Sequence, residues 1–253
     1  MSLFDVTDTA YDNFMGRYSQ RLAPKFADFA GISGGMAVVD VGAGTGALTS
    51  ELVRRGAEVA AADPSSNFVA ALQQRLPDVA VHQAPAEQLP WPDERFDAAL
   101  AQLVVTFMND APAGVQEMRR VVRTGGTVSV CMWDREGMEM LAAIMRAQKA
   151  MHSEPPSAEA RTLYRTLPEI ESLFANGFDD IHAELLEVES SYSGYDEFWS
   201  AMNAGVGPAG AWVASLDDRQ RDAARLEVYR QVGEPAGAFT LTGRAWAVRA
   251  TRV

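Results

Sequence analysis

The chain has 253 residues, of which 47% are hydrophobic and 22% charged, and a formal net charge of −12. That is enough for one large α/β domain with insertions or for two small domains, with ordinary apolar content for a buried core. The acidic balance, with no long Lys/Arg cluster, speaks against nucleic acid or an anionic membrane as partner, since either needs a basic footprint.

The first residues carry Asp5, Asp8 and Asp12 and do not read as a signal peptide. Residues 8–30 have helical spacing through Tyr11, Phe14, Met15, Tyr18, Leu22, Phe26 and Phe29, with Pro24 expected to divide them into two helices. Strands and helices then alternate: strand 36–41, helix 46–55, strand 58–62, helix 65–76, strand 79–83, strand 96–101, helix 110–122 and strand 127–133. Gly56, Pro77 and Gly125-Gly126 punctuate the units, and Arg119, Arg120 and Arg123 read as the solvated end of a helix. The longest apolar stretch, Ala98–Met108, is broken by Gln102 and too short for a bilayer, so a cytoplasmic protein with no membrane insertion is expected. Cys131, the single cysteine, excludes an intramolecular disulfide and a cysteine-built zinc site. Within its strand it reads as a small core residue, and no metal is expected.

Beyond Trp133 the rhythm changes. Residues 138–166 read as helix broken at Pro155-Pro156, and 168–176 as a further helix. Two long strands follow at 180–191 and 239–252. Between them lie a helix at 195–203, a Gly/Pro-rich stretch at 205–210 and a polar helix near 217–232. The alternation predicts an α/β fold, a doubly wound, mostly parallel seven-stranded sheet of Rossmann type with a helical lid and insertions. Ligands of such sheets sit at the carboxyl ends of the strands.

Val38-Val39-Asp40-Val41 runs into Gly42-Ala43-Gly44-Thr45-Gly46 and then a helix. A buried strand, a bare loop and a helix N-terminus form a nucleotide-type site. Two nucleotides compete. Gly42-x-Gly44-x-x-Ala47 fits the dinucleotide fingerprint of an oxidoreductase, with Asp63 at the distance of a ribose-binding carboxylate. Against that, the third glycine is Gly46, and Asp40 sits two residues before the first.

Acidic-x-Gly-x-Gly-x-Gly resembles the first motif of the class I S-adenosylmethionine (SAM)-dependent methyltransferases. The later segments resemble that family in order: Asp63-Pro64-Ser65-Ser66, then Ala84-Pro85-Ala86-Glu87-Gln88-Leu89-Pro90-Trp91 leading to Phe96-Asp97, then Leu100–Phe107, then Glu117–Gly126. The third segment is typical of the small-molecule branch that includes quinone-biosynthesis methyltransferases. The resemblance covers residues 36–133. It implies SAM as cofactor and S-adenosylhomocysteine as product, with Asp40, Gly42, Gly44 and Gly46 at the methionine part. It puts Asp63, with Pro64 and Ser65, at the ribose, Ala86 and Glu87 at the adenine, and Gln102 and Leu103 after the fourth strand, facing the methionine amino group. Pro85 stands where the family commonly has Asp, so adenine recognition rests more on backbone. An alternative reading of Asp63 is a cap for the next helix.

The domain reading is a single domain over 1–253, with a lid at 1–30, a SAM-binding core at 36–133 and helical insertions at 134–176 and 192–238 forming the acceptor side. Arg17, in a segment like the family's variable lid helix, is a candidate partner for the SAM carboxylate. Residues 8–18 are expected to be mobile. The expected substrate is a small, apolar or aromatic metabolite, with Tyr11, Phe14, Tyr18, Phe107, Trp133, Tyr195 and Trp199 as candidate pocket residues. The fourth strand lacks an Asn/Asp-Pro-Pro-aromatic run, which disfavours nucleobase amines. No catalytic residue is identified; of the histidines, His82 and His182 fall on strands, and only His152 is a candidate base. A second reading is a SAM-binding protein that transfers nothing.

Overall fold

Four consecutive residues of β1 (Ala37–Val41), Val38, Val39, Asp40 and Val41, are buried, as a strand covered on both faces requires. The computed structural model describes residues 12–151, 163–203 and 207–253. By their packing the residues sort into two compact units. Among the described residues, one comprises Ser19–Asp134, Leu163–Leu186 and Ala245–Val253; the other comprises residues 12–18, 135–151, 187–203 and 207–244.

In the larger unit α1 (Arg17–Phe29) enters with its residues from Ser19 onward. Then β1 and α2 (Ala47–Arg54) are followed by β2 (Glu58–Asp63), α3 (Ser66–Arg75), β3 (Ala80–Gln83), β4 (Phe96–Gln102) and α4 (Ala111–Val121). The next strand, β5, runs Val122–Met138. Parallel pairings join β1 to β2, β1 to β4, β2 to β3 and β4 to β5. With β6 (Phe178–Tyr192) and β7 (Phe239–Arg252) they make a seven-stranded sheet in the order β3-β2-β1-β4-β5-β7-β6. The order reverses between β1 and β4, which puts the open crevice at their carboxyl ends. Ala43, Ala61, Val69, Leu72 and Val81 form a buried cluster that packs α3 beneath this end of the sheet.

The other unit holds a single turn of π-helix, Asp12–Gly16, that leads into the first two residues of α1. It also holds α5 (Glu139–Ala150), α7 (Tyr195–Met202), α8 (Gly207–Ser215) and α9 (Asp218–Gln231). Its core is aromatic. Tyr192 stacks on Phe239 at 5.2 Å and meets Phe198 edge-on at 5.1 Å, and Tyr195 meets Tyr229 at 4.9 Å.

Four expectations change. Helix α1 continues through Pro24 instead of dividing there. Gly125-Gly126 lies inside β5: the pairing shifts from Phe96↔Val122 to Ala98↔Thr127, so the expected turn is a bulge in a longer strand. The 168–176 helix is a short α6 (Leu167–Glu171) followed by a 3-10 turn, Ser172–Phe174. Of the Gly/Pro-rich stretch, residues 205–206 lie outside the described residues and 207–210 are helical, in α8, where burial of Trp212 and Val213 overrides local propensity.

Candidate functional site

The glycine loop leaves β1 at Val41 and enters α2 at Ala47. The N–H groups of Gly42 and Ala43 both donate to the carbonyl of Ala62, at 2.7 and 3.0 Å, so the loop is pinned to β2 as it turns. Gly46 stands at the N-cap of α2 in the left-handed region, and no side chain caps the helix. A Cβ on Gly42 would lie 2.5 Å from Val104, and one on Gly46 would lie 2.4 Å from Leu72. Val104 leaves no room for a side chain at Gly42; at Gly46 the end of Leu72 would have to shift, and the left-handed φ of +89° disfavours any side chain. At Gly44, φ +54°, a Cβ would meet nothing within 4 Å. Its backbone therefore faces open space that a ligand can approach closely.

Two carboxylates flank the loop. Asp40 is 1% exposed and accepts a 2.6 Å hydrogen bond from Thr49 Oγ1 on α2. Burial pushes its carboxyl up to about 7 against the pull of that bond. Asp63, at the end of β2, is also buried. Its Oδ2 accepts from the N–H of Gly44 at 2.9 Å and its Oδ1 from the N–H of Ser65 at 2.8 Å. Burial raises this carboxyl as well, while both backbone bonds lower it. Ser65 is the cap of α3, accepting from Phe68 N–H at 3.4 Å, so the cap considered for Asp63 belongs to its neighbour. The Pro64 carbonyl accepts from Gln83 Nε2 at 3.1 Å.

The third segment is tied to this end of the sheet by Ala84 N–H, which donates to the Asp63 carbonyl at 3.1 Å. Ala86 is buried, and Glu87 Oε1 accepts from Asp110 N–H at 2.9 Å, just before α4. Asp110 in turn caps α4 through Ala113 N–H. Residues 89–93 hang on a hub that sequence reasoning missed. Arg120 donates to the carbonyls of Trp91 and Leu89 at 2.9 and 3.1 Å and pairs with Asp93 and Glu117. Arg119 instead reaches the carbonyls of Gly177 and Val253, and Arg123 pairs with Asp97. The i,i+3 pair Glu117–Arg120 was the one signal of this in the sequence.

On β4, Asp40 pairs level with Leu100, so Gln102 ends the strand beside the glycine loop. Gln102 is 9% exposed; Nε2 donates to the Ser19 carbonyl at 3.1 Å, and Oε1 is buried without a partner. Leu103 follows at φ +65°, a strained conformation for a residue with a side chain, and its N–H donates to the Cys131 carbonyl at 2.9 Å.

Asp40, Gly42, Gly44, Gly46, Asp63, Pro64, Ser65, Ala86, Glu87, Gln102 and Leu103 thus all lie in the larger unit. Arg17 belongs to the other. There it donates to Glu197 at 2.8 Å and to the Ser191 carbonyl at 2.9 Å, with its guanidinium 4.1 Å from the Tyr192 ring centre. Phe14, Tyr18, Tyr195 and Trp199 are also in that unit. Phe14, Tyr18 and Trp199 are buried; the hydroxyl of Tyr18 meets that of Tyr192 at 3.1 Å, and Tyr195 donates to the Arg225 carbonyl. Phe107 and Trp133 are in the larger unit, Phe107 exposed and Trp133 buried. Tyr11 and His152 lie outside the described residues. His82, exposed on β3, meets Trp91 edge-on at 5.3 Å, and His182 lines a surface cleft with Asp180 and Arg249. Cys131 is buried in β5. Among the described residues no three His, Cys, Asp or Glu are placed to hold a metal, and no helix is long and apolar enough to cross a membrane.

Residues 39–130 match a family model described as a methyltransferase domain. A demethylmenaquinone methyltransferase of Mycolicibacterium paratuberculosis is 34% identical over 158 residues, 62% of this chain and 66% of that protein. An uncharacterized protein of Mycobacterium tuberculosis is 33% identical over 144 residues, 54% of this chain and 53% of that one. The chain spans about half the length of the first curated relatives it matches. Among solved structures, a putative methyltransferase from an antibiotic biosynthesis pathway of Anabaena variabilis superposes with a TM-score of 0.64 at 18% identity, covering 92% of this chain and 97% of that one. The doubly wound α/β fold is shared with that solved structure.

Proposed function

We propose that this chain, which carries a class I SAM-dependent methyltransferase domain, binds SAM on its glycine loop and transfers the methyl group to a small, apolar or aromatic metabolite. One observation carries the reading. The open backbone at Gly44, the buried carboxylate of Asp63 and the unpaired Gln102 Oε1 stand on three neighbouring strand ends.

The fit is chemical. A carboxylate offers about four acceptor sites. Asp63 spends two on Gly44 and Ser65, which leaves two for a pair of ribose hydroxyls. Gln102 Oε1 is an acceptor without a donor, which suits an ammonium group. Gly44 admits a ligand against its main chain, and the uncapped start of α2 favours a carboxylate there. Glu87 is held by Asp110 N–H and the residues just after it, Leu89 and Trp91, by Arg120, which suits this segment to the adenine.

Bound SAM supplies a methyl group on a positively charged sulfur, so the protein's work is chiefly alignment and exclusion of water. An apolar acceptor is supported by the name of a relative, a demethylmenaquinone methyltransferase. The test is calorimetric titration with S-adenosylhomocysteine and, separately, NAD, followed by turnover with SAM over a panel of quinols, phenols and amines. Micromolar S-adenosylhomocysteine binding with no NAD binding is the expected result. Binding of NAD alone overturns the proposal, and S-adenosylhomocysteine binding with no turnover on any acceptor reduces it to a cofactor-holding protein.

A further inference from the structure

The Gln102 amide has two ends, and only one is paired. Nε2 donates to the Ser19 carbonyl across 83 residues of sequence. A carbonyl accepts and never donates, so this bond decides which end faces helix α1. The other end, Oε1, is buried and without a partner, which costs stability in the protein alone. The backbone around it is fixed. Gln102 pairs with Cys131 at the end of β4, and the next residue holds its strained φ through a bond to the same Cys131. The orphan acceptor is therefore an aimed group.

Helix α1 needs outside support where Gln102 touches it. Pro24 lies inside the helix and has no N–H, so the carbonyl four residues earlier, at Gln20, loses its ladder donor. Ser19 adjoins that gap. Anything that immobilises the Gln102 amide steadies the helix there, because the two ends of one planar amide cannot move independently, and hydrogen bonds in series polarise one another.

We infer that Gln102 is a positioning residue that links occupancy of the cofactor site to the order of helix α1, its Oε1 accepting from the cofactor's ammonium group while its Nε2 holds the Ser19 carbonyl. The inference rests on the cofactor reading above. Glutamate at this position keeps the acceptor and loses the donor, which separates the two ends.

Amide hydrogen exchange on the full chain, with and without saturating S-adenosylhomocysteine, reads both ends at once. In the wild type, ligand should slow exchange in the glycine loop, residues 42–46, and also in residues 19–27 by roughly three- to tenfold, the scale of one hydrogen bond. In Gln102→Glu, calorimetry should find affinity for S-adenosylhomocysteine kept or improved and the loop still protected, while α1 no longer responds to ligand. Gln102→Met, which lacks both polar ends and has no charge to bury, should weaken binding and likewise uncouple α1. It serves if the glutamate variant fails to fold. Ligand protection of α1 that persists in either variant overturns the inference, and so does loop protection without α1 protection in the wild type. No binding by the wild type overturns the cofactor reading and this inference with it.

Discussion

Asp63 Oδ2 accepts a 2.9 Å hydrogen bond from the backbone N–H of Gly44, binding the end of β2 to the middle of the glycine loop. The same carboxylate closes the turn into α3 through Ser65 N–H. One buried side chain thus shapes two loops that meet at the proposed cofactor site.

Asp63→Asn tests that double duty. Asparagine keeps the size but has one acceptor oxygen and sets an NH2 against one of two N–H donors. The melting temperature without ligand should fall, and affinity for S-adenosylhomocysteine should weaken by roughly 1.5–3 kcal/mol, the scale of charge-assisted hydrogen bonds. Calorimetry and thermal melting on the same sample measure both. A variant that melts like the wild type and binds as tightly would show that neither loop depends on the carboxylate.

Gly44→Ala and Gly46→Ala should fail in different ways. At Gly46 the new methyl meets Leu72 at 2.4 Å at φ +89°. Left-handed strain and overpacking together should cost about 2–4 kcal/mol of stability. At Gly44 the methyl meets nothing, so only strain of about 1–2 kcal/mol is expected. That methyl would nevertheless stand in the open space before the loop, and S-adenosylhomocysteine binding should drop at least about tenfold, or 1.4 kcal/mol. Equal stability losses with unchanged binding would remove the ligand from the loop.

Much of this was legible from local chemistry. The run Val38–Val41 and the three glycines fixed the strand, the loop and the helix after it, because their signals are short-range. Features set by distant partners were not legible. Gly207, Pro208 and Gly210 argue for a loop, yet α8 forms, with Trp212 and Val213 buried. Gly125-Gly126 reads as a turn and is a bulge, because β5 regains its pairing with β4 beyond it. Arg120 looks like a solvated helix end, while its partners are carbonyls 29 and 31 residues away. Ser19 could not be matched to Gln102, since nothing in either residue's neighbourhood marks the other.

Asp40 sets a pH dependence of stability. Its folded-state value lies near 7, well above that of an exposed carboxylate, because burial disfavours the charge. The native state therefore holds this proton more tightly than the unfolded state does. The stability so gained is complete below the ordinary carboxylate range and is lost as pH rises through about 7. The difference in melting temperature between wild type and Asp40→Asn should shift against the wild type from about pH 5 to about pH 8, a window that follows from this shift. Glu51, Asp97, Glu117 and Glu197 are held below their ordinary values by arginines or N–H donors and lose their stabilisation only at lower pH. A flat difference across the window would mean that Asp40 is ionised throughout.

Arg17→Met separates two roles for the guanidinium. As a partner of the cofactor's carboxylate, its loss would weaken S-adenosylhomocysteine binding by tenfold or more, on the scale of a charge-assisted contact. The structure gives Arg17 a different set of partners: Glu197, the Ser191 carbonyl and the face of Tyr192. The ion pair is partly exposed, at 23% and 40% of its side chains, so solvent screens it and it is worth at most about 1 kcal/mol. The ring contact adds about 0.5–1 kcal/mol, and methionine keeps part of the packing against Tyr192. The expected result is a stability loss of roughly 1 kcal/mol. The Glu197 carboxyl, held down to about 2 by Ser193 and by Arg17, should rise. Affinity for S-adenosylhomocysteine should stay within about twofold, or 0.4 kcal/mol. A tenfold loss of binding with unchanged melting would return Arg17 to the cofactor.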